Sequence, residues 1–371
     1  MIDLGVRLQV LLGPKLPLPA PYEVVDALRS VEVRNSDREQ DGFQMELTLG
    51  KGTLGDYGLL QGGLLDPPSR VILIAIFNVV PEVLIDGIIT DHQVVPGNRP
   101  GESVLRVSGS DVSVMMDLEE KNATFPNQPD SLIVTRILAG YAQYGLLPAV
   151  TPTADFPIAL QRVPSQRSTD LEFIRKMAKR NGFVFYVEPT PVPGVNKAYW
   201  GPEVRVGLPQ APLTLNMIGQ TNVDAPVHFR FDALGPATED VTILEGNTGI
   251  PISIPFPGLT IPLSARPARS LRKRLSCDAA KLNPAQAAAR GLAASTEGAD
   301  AVDVTGEVDA VRYGRLLRAR RLVSVRGVGL SYGGFYYVRQ VTHRLRRGEY
   351  KQSFRLVREG RLTLTPLVNP T

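Results

Sequence analysis

Between Leu4 and about Leu118, apolar and polar residues mostly alternate, the period of a strand with one buried face. In "VEVRNSDREQDGFQMELTLG", Val31 and Val33 share a face, Asn35 to Gly42 supply turn residues, and Phe43, Met45, Leu47 and Leu49 alternate again. The pattern predicts a hairpin with a charged loop. Its acids, Asp37, Glu39 and Asp41, read as a solvated turn, because they lack the glycine and terminal bidentate glutamate of a calcium loop. Two more strand pairs follow, through "RVILIAIFNVVPEVLIDGIITDHQVV" and "ESVLRVSG", so this segment reads as all β.

Near Asp111 the period changes. "PDSLIVTRILAGYAQYGLL" places Ile133, Ile137 and Tyr141 on one helical face, with Ser131 as the expected cap and Gly145 just past the end. In "STDLEFIRKMAKRNGFVFYVE", Thr169 and Glu172 have capping-box spacing, and Leu171, Ile174, Met177 and Ala178 form one face. Gly182 suits the left-handed position beyond the C-cap. The strand "FVFYVE" follows, and the proline-rich "PTPVPG" (Pro189 to Gly194) reads as a connector to the next segment.

Further on, "GIPISIPFPGLTIPLSARP" carries prolines at 251, 255, 257, 262 and 267, which remove ladder donors and exclude a central strand. It is expected to lie over its own domain or across a partner subunit. "NPAQAAARGLAAS" predicts a short helix, with Asn283 as cap and Pro284 at its first position. Strands return from Ala301. Residues 88–109 and 340–360 share an order of features: a β-branched residue, Thr and His, then a Gly-containing turn, then Ser and an Arg-bearing strand. This predicts two copies of one β-domain, near the two ends of the chain.

With 371 residues, 43% of them hydrophobic, the chain can bury two or three ordinary cores. The longest apolar run, "VILIAIF" from Val71, is far short of the roughly 20 residues that cross a bilayer. An acid at Asp3 and early prolines argue against a cleaved signal, so assembly in the cytoplasm is expected. The lone Cys277 excludes an intrachain disulfide and reads as a small half-buried side chain. Charge is segregated: residues 260–371 hold 21 Lys/Arg against 8 Asp/Glu, a balance of +13, whereas residues 1–259 hold 20 against 29, a balance of −9. Clusters such as "RPARSLRKR" (Arg266 to Arg274) read as a solvated face or a contact with an acidic neighbouring subunit, not as a nucleic-acid site, because no aromatic residue interleaves with the arginines.

Candidate chemistry narrows to little. "GLSYGG" (Gly329 to Gly334) contains G-x-S-x-G, but the alternating, aromatic "YGGFYYVRQVTHRL" after Ser331 is strand-forming, where a hydrolase elbow requires a helix. Its glycines read as a hairpin turn. "GKGTLG" (Gly50 to Gly55) fits G-x-G-x-x-G, yet the glycines and prolines after it break the helix a dinucleotide site requires. His92, His228 and His343 are too widely spaced to suggest a zinc site and read as structural. The adjacent acids Glu119 and Glu120 are poorly placed for acid/base work on one bond. The rival functions are a β-rich hydrolase using Ser331 and a basic β-protein gripping nucleic acid.

Ser168 to Glu188 and Gly333 to Gly360, together with "SDREQDGFQMELTLG", resemble the phage late control protein D family. These are baseplate hub proteins of contractile tails, similar to the head region of VgrG spikes and to the hubs of extracellular contractile injection particles. The resemblance implies a mainly β fold with an α/β insertion: two tube-type antiparallel β-barrel domains plus a small α+β domain. The expected division is residues 1–118, 119–200 and 201–371, the last carrying a proline-rich arm and short helices at about 246–300. The resemblance further implies a non-enzymatic homotrimer, without cofactor, metal or membrane insertion, that adapts a hexameric inner tube protein to a trimeric spike among other baseplate proteins. The particle is a phage tail, a tailocin or an injection system. VgrG spikes continue beyond the hub and this sequence stops at Thr371, so the spike is expected as a separate polypeptide. The residues expected to carry structure and assembly are the turn glycines Gly329, Gly333 and Gly334, the strand residues Tyr336, Val338, Val341, Phe354 and Leu356, and the helix residues Leu171, Ile174 and Met177.

Overall fold

The computed structural model describes residues 6–50, 57–77, 80–99, 101–153, 163–244, 251–255, 262–276, 287, 291 and 298–364. Cys277, the G-x-G-x-x-G stretch and the helix expected over 283–295 fall wholly or largely outside the described residues.

The alternating N-terminal region forms β1 (Arg7–Gly13), β2 (Leu18–Pro19), the helix α1 (Tyr22–Ala27), β3 (Leu28–Ser36), β4 (Gly42–Thr48), the short α2 (Gly58–Gln61), β5 (Arg70–Phe77), β6 (Val80–Val95) and β7 (Val104–Asp111). The middle region holds β8 (Glu120–Thr124), α3 (Asp130–Ala139), β9 (Leu146–Val150), β10 (Ser165–Thr169), α4 (Asp170–Arg180), β11 (Val184–Pro189) and β12 (Asn196–Gly201). Next come β13 (Gln210–Thr214), β14 (Val223–Phe231), β15 (Ala237–Leu244), β16 (Pro251–Pro255), β17 (Ser264–Pro267) and β18 (Arg272–Ser276). The chain then adds β19 (Val302–Asp309), β20 (Leu322–Arg326), β21 (Gly334–Arg346), β22 (Glu349–Arg358) and β23 (Gly360–Thr363).

Both ends of the chain contribute to one 13-stranded sheet, ordered β14-β19-β22-β21-β3-β4-β7-β6-β5-β1-β2, with β20 also on β21 and β13 on β20. Pairing is antiparallel except between β13 and β20. The two stretches with matching features both fold as hairpins, β6–β7 and β21–β22, with His92 opposite Val107 and His343 opposite Gln352. They flank the central pair β3–β4, since β7 pairs with β4 and β21 with β3.

The three largest cores among the described residues sit on this frame. One centres on Val31, Met45, Leu47, Leu73 and Leu105, a second on Ile133, Ile174 and Trp200, a third on Val304, Tyr336 and Leu356. The first also takes in Ala310, Leu345 and Tyr350, so the tip of the β21–β22 hairpin is buried with the N-terminal strands.

The second helix follows its sequence signals: Thr169 Oγ1 accepts from the Glu172 amide at 3.2 Å, and Gly182 takes φ +66. The first departs from them. Helix α3 starts two residues earlier, at Asp130, with Pro129 at the cap position, because buried Asp130 is drawn to Arg180 at the end of α4 and to Asn181 just past it. Ser131 bonds to Thr153 instead of capping. Gly145, at φ +73, closes the separate turn Ala142–Tyr144. "PTPVPG" is not a connector between segments: it is the turn of the hairpin β11–β12, whose strands pair from Val184↔Gly201 to Pro189↔Asn196. Of the proline-rich arm, β16 is an edge strand beside β15, and β17 pairs with β23 of its own chain. Among the described residues no helix is long and apolar enough to cross a membrane.

Candidate assembly junction

Strand β21 changes partners midway. Its first residues pair with β20, from Gly334↔Val325 to Tyr337↔Leu322, and its later ones with β3, from Gln340↔Ser36 to Arg346↔Ser30. The change falls at a register shift between Val338 and Gln340, and Arg339 sits in it. Charged side chains from distant parts of the sequence converge there.

Arg339 donates through Nη2 to Asp300 Oδ2 at 2.6 Å, and its Nε lies 3.4 Å from Asp37 Oδ2. Asp300 also holds Arg205 in a two-point contact at 2.6 and 3.0 Å. Nearby, Arg320, whose backbone has φ +63, donates to the Ser36 carbonyl at 3.1 Å and to Asp41 Oδ1 at 2.7 Å. The Arg320 guanidinium lies 4.2 Å from the centre of the Tyr186 ring on β11. One arginine therefore ties the N-terminal hairpin, the middle region and the approach to β20 together, and its planar fork suits that geometry.

Asp37 and Asp41 do not lie in a solvated turn. Asp37 is 4% and Asp41 1% exposed, buried because β21 covers the hairpin end that a local reading leaves in water. Asp41 also accepts from the Ser36 amide at 2.9 Å and Asn35 Nδ2 at 3.0 Å, while its own amide donates to Asp111 Oδ2 at 3.1 Å. Burial, then the neighbouring charge of Asp41, pushes the Asp111 carboxyl up to about 6. Burial also pushes Asp37 up to about 6, against the opposing pull of Arg339. Both Asp37 carboxylate oxygens are buried without a hydrogen-bond donor.

A second clamp fixes the middle region. Arg70 on β5 grips Asp86 on β6 at 2.8 and 2.6 Å and reaches the carbonyls of Tyr144 at 2.8 Å and Gly194 at 3.1 Å. Asn196 Nδ2 closes the set on Asp86 Oδ2 at 2.8 Å. Gly145 allows this approach: a Cβ there would lie 1.8 Å from the Gly194 carbonyl oxygen.

The "GLSYGG" loop is a structural feature of the third core. Gly329 to Tyr332 form a single helical turn and β21 begins at Gly334, so a strand follows Ser331. Arg358, fully buried, donates to the carbonyls of Gly333 and Ser331, both at 2.8 Å, and stacks on Tyr336 at 4.4 Å. Gly329 and Gly334 take φ +77 and +111; Gly333, at φ −66, needs no glycine for its backbone. Tyr336, Val338, Val341, Phe354 and Leu356 meet in that core, whereas Leu171, Ile174 and Met177 lie in the middle one. The ten strand residues from Gly334 to His343 span about 30 Å, which keeps the imidazole far from Ser331. The His343 ring is buried against the Tyr350 hydroxyl at 2.8 Å and Gln352 at 3.1 Å. Among the described residues, no three His, Cys, Asp or Glu stand together as a metal site would require.

No family model and no curated protein sequence matches the chain. Solved structures do. A tail protein from Neisseria meningitidis MC58 superposes with TM-score 0.63 at 15% identity, covering 96% of this chain and 98% of its own. The 43 kDa tail protein of prophage MuSo2 from Shewanella oneidensis gives TM-score 0.63 at 16% identity, covering 96% and 99%. An E. coli type VI secretion component, described as structurally similar to the T4 tail proteins gp27 and gp5, gives 0.56 at 13%, covering 92% and 77%. Over nearly its whole length, the chain has the mainly antiparallel β fold of these tail and secretion-system proteins.

Proposed function

We propose that the protein is a baseplate hub of a contractile tail or injection particle, a homotrimer that joins a six-fold inner tube to a three-fold spike. The observation that carries this reading is the near end-to-end superposition on two tail proteins. The likeness at the level of fold is extended to function by the way the chain is built. Matching hairpins flank β3–β4, so each chain offers two related strand arrays, and three chains offer six. A three-fold assembly with six similar edges fits a hexamer on one side and a trimer on the other. The buried ion pairs at the junction hold the two arrays in fixed relation, which such an adaptor requires. In this reading residues 1–118 and 201–371 supply the arrays and 119–200 the insertion. Gly329, Gly333 and Gly334, the core residues around Tyr336, and Leu171, Ile174 and Met177 act by holding those surfaces in shape. In this reading the protein assembles in the cytoplasm and becomes part of a phage tail, tailocin or injection particle, whether a virion, an extracellular or a cytoplasmic one.

The experiment is purification alone and with a co-expressed tube protein, followed by sedimentation and negative-stain imaging. The expected species has three times the 40.3 kDa chain mass and appears as a ring. A lone monomer in both preparations would end the reading.

A further inference from the structure

A groove of about 520 Å³ opens where β17 meets β23 and the end of β14. Arg266, Arg269 and Arg361 line it beside the apolar Phe231, Pro267 and Leu271, and no acid is among the described lining residues. Arg266 and Arg361 are direct partners in the antiparallel register, a like-charge pairing that destabilises a sheet. The closeness is built in: a Cβ on Gly360 would lie 2.2 Å from the Arg266 carbonyl oxygen. The nearby Glu359 is already committed, accepting from the Ser264 amide at 2.7 Å and the Ser264 hydroxyl at 2.9 Å. Arg361 lies 4.6 Å from the centre of the Phe231 ring, which orients its guanidinium. Phe231 is distant in sequence from the arginine cluster, so the reading that aromatics are absent from it fails in three dimensions.

A ligand that suits this groove carries carboxylates and an apolar group on one short segment. The chain itself presents such a segment. Asp117 to Glu120, "DLEE", is exposed throughout, and Leu118 is 67% exposed. Its position is fixed at both ends: Asp117 accepts from Thr169 Oγ1 at 2.5 Å, and Glu120 pairs with Thr169 in the β8–β10 ladder. Extended, the four residues span about 10 Å, comparable to the reach of three neighbouring arginines. The apolar half of the groove favours this segment over a phosphate backbone, which would leave Phe231, Pro267 and Leu271 uncovered.

We propose that the arginine groove of one copy receives the Asp117–Glu120 segment of a second copy of this chain. Groove and segment are different surfaces, so the contact is head-to-tail and closes into a ring when the rotation permits. This rests on the reading of the protein as a self-assembling hub, and it names the contact through which the copies meet.

Sedimentation velocity over a concentration series tests it on four full-length proteins: wild type, R266E/R361E, E119K/E120K, and the chain carrying all four changes. Circular dichroism and urea midpoints serve as folding controls. Each charge reversal is expected to raise the dissociation constant by roughly tenfold or more, and the four-fold variant to restore association, because its groove and segment are complementary again. Oligomers indifferent to both reversals, or a four-fold variant no better than either parent, overturn the proposal and leave the hub reading standing. A wild-type chain that never self-associates, even with tube protein, overturns both. A fluorescent single-stranded oligonucleotide that binds wild type and is lost in R266E/R361E, with the oligomer unchanged, reassigns the groove to phosphate.

Discussion

Arg320 donates to Asp41 at 2.7 Å, a contact between residues 279 apart in sequence and both nearly inaccessible to water. Two charges taken out of water are held there only because each satisfies the other and the carboxylate collects further amide donors. Arg320→Met keeps most of the stem and leaves Asp41 buried and unpaired. The expected loss is about 3 to 5 kcal/mol, read from urea denaturation, while Asp41→Asn combined with Arg320→Met falls well short of the sum of the single losses. A single-variant loss below about 1 kcal/mol would remove the pair from any account of the junction.

Asp37 behaves differently, because its carboxylate is buried with poor compensation and its ionisation is pushed up from 3.8 to about 6. An acid whose folded pKa is raised binds its proton more tightly in the native state. Its contribution is therefore fully present below the ordinary carboxylate range and is lost as pH rises from about 4 through about 6. Asp37→Asn, which cannot ionise, is expected to gain on wild type across that window, by roughly 2 to 3 kcal/mol at neutral pH. The check is the difference in urea midpoint between the two proteins as a function of pH. A difference that stays flat from pH 4 to 7 contradicts it.

The glycines of "GLSYGG" separate by backbone geometry. At Gly334, φ is +111 and a Cβ would meet Thr363 Oγ1 at 2.8 Å and Arg358 Nη1 at 3.3 Å. Gly333 has φ −66, open to any residue. Gly334→Ala is expected to cost about 1 to 3 kcal/mol, and Gly333→Ala clearly less. Equal thermal midpoints for the two variants would show that the turn tolerates a side chain at either place.

What could be read in advance was local. Thr169, Glu172 and Gly182 signal a helix because the cap, the first turn and the stop lie within fourteen residues of one another, and the structure caps through Thr169 Oγ1 on the Glu172 amide and stops at Gly182. The alternation from Val31 to Leu49 likewise gave its hairpin. The misreadings share a different cause. "PTPVPG" looks like a linker by composition, but the matched runs "VFYVEP" and "NKAYWG" on either side are the signal of a hairpin. Asp37 and Asp41 look like turn acids until β21, some 300 residues later, lies beside them. The arginines gave a net charge but no partners: Arg320 with Tyr186, and Arg361 with Phe231, meet only after the sheet is assembled.

His343 supplies a probe of that assembly. It lies on β21 with its ring against Tyr350 and Gln352 of the neighbouring strand, and Arg318 is the charged group acting on it. Burial, then the charge of Arg318, lowers its pKa from 6.5 to about 3. A base with a depressed folded pKa contributes stability that is present above its ordinary value and lost as pH falls from about 6.5 toward 3. This direction is opposite to that of Asp37, so the two groups act against each other between pH 4 and 6. With only three histidines in the chain, one substitution, His343→Asn, assigns its imidazole signals in a nitrogen-15 spectrum. Those signals are expected to remain those of a neutral ring at pH 5. A titration midpoint near 6.5 would mean that water reaches the ring, and that the β21–β22 hairpin opens where the fold holds it closed.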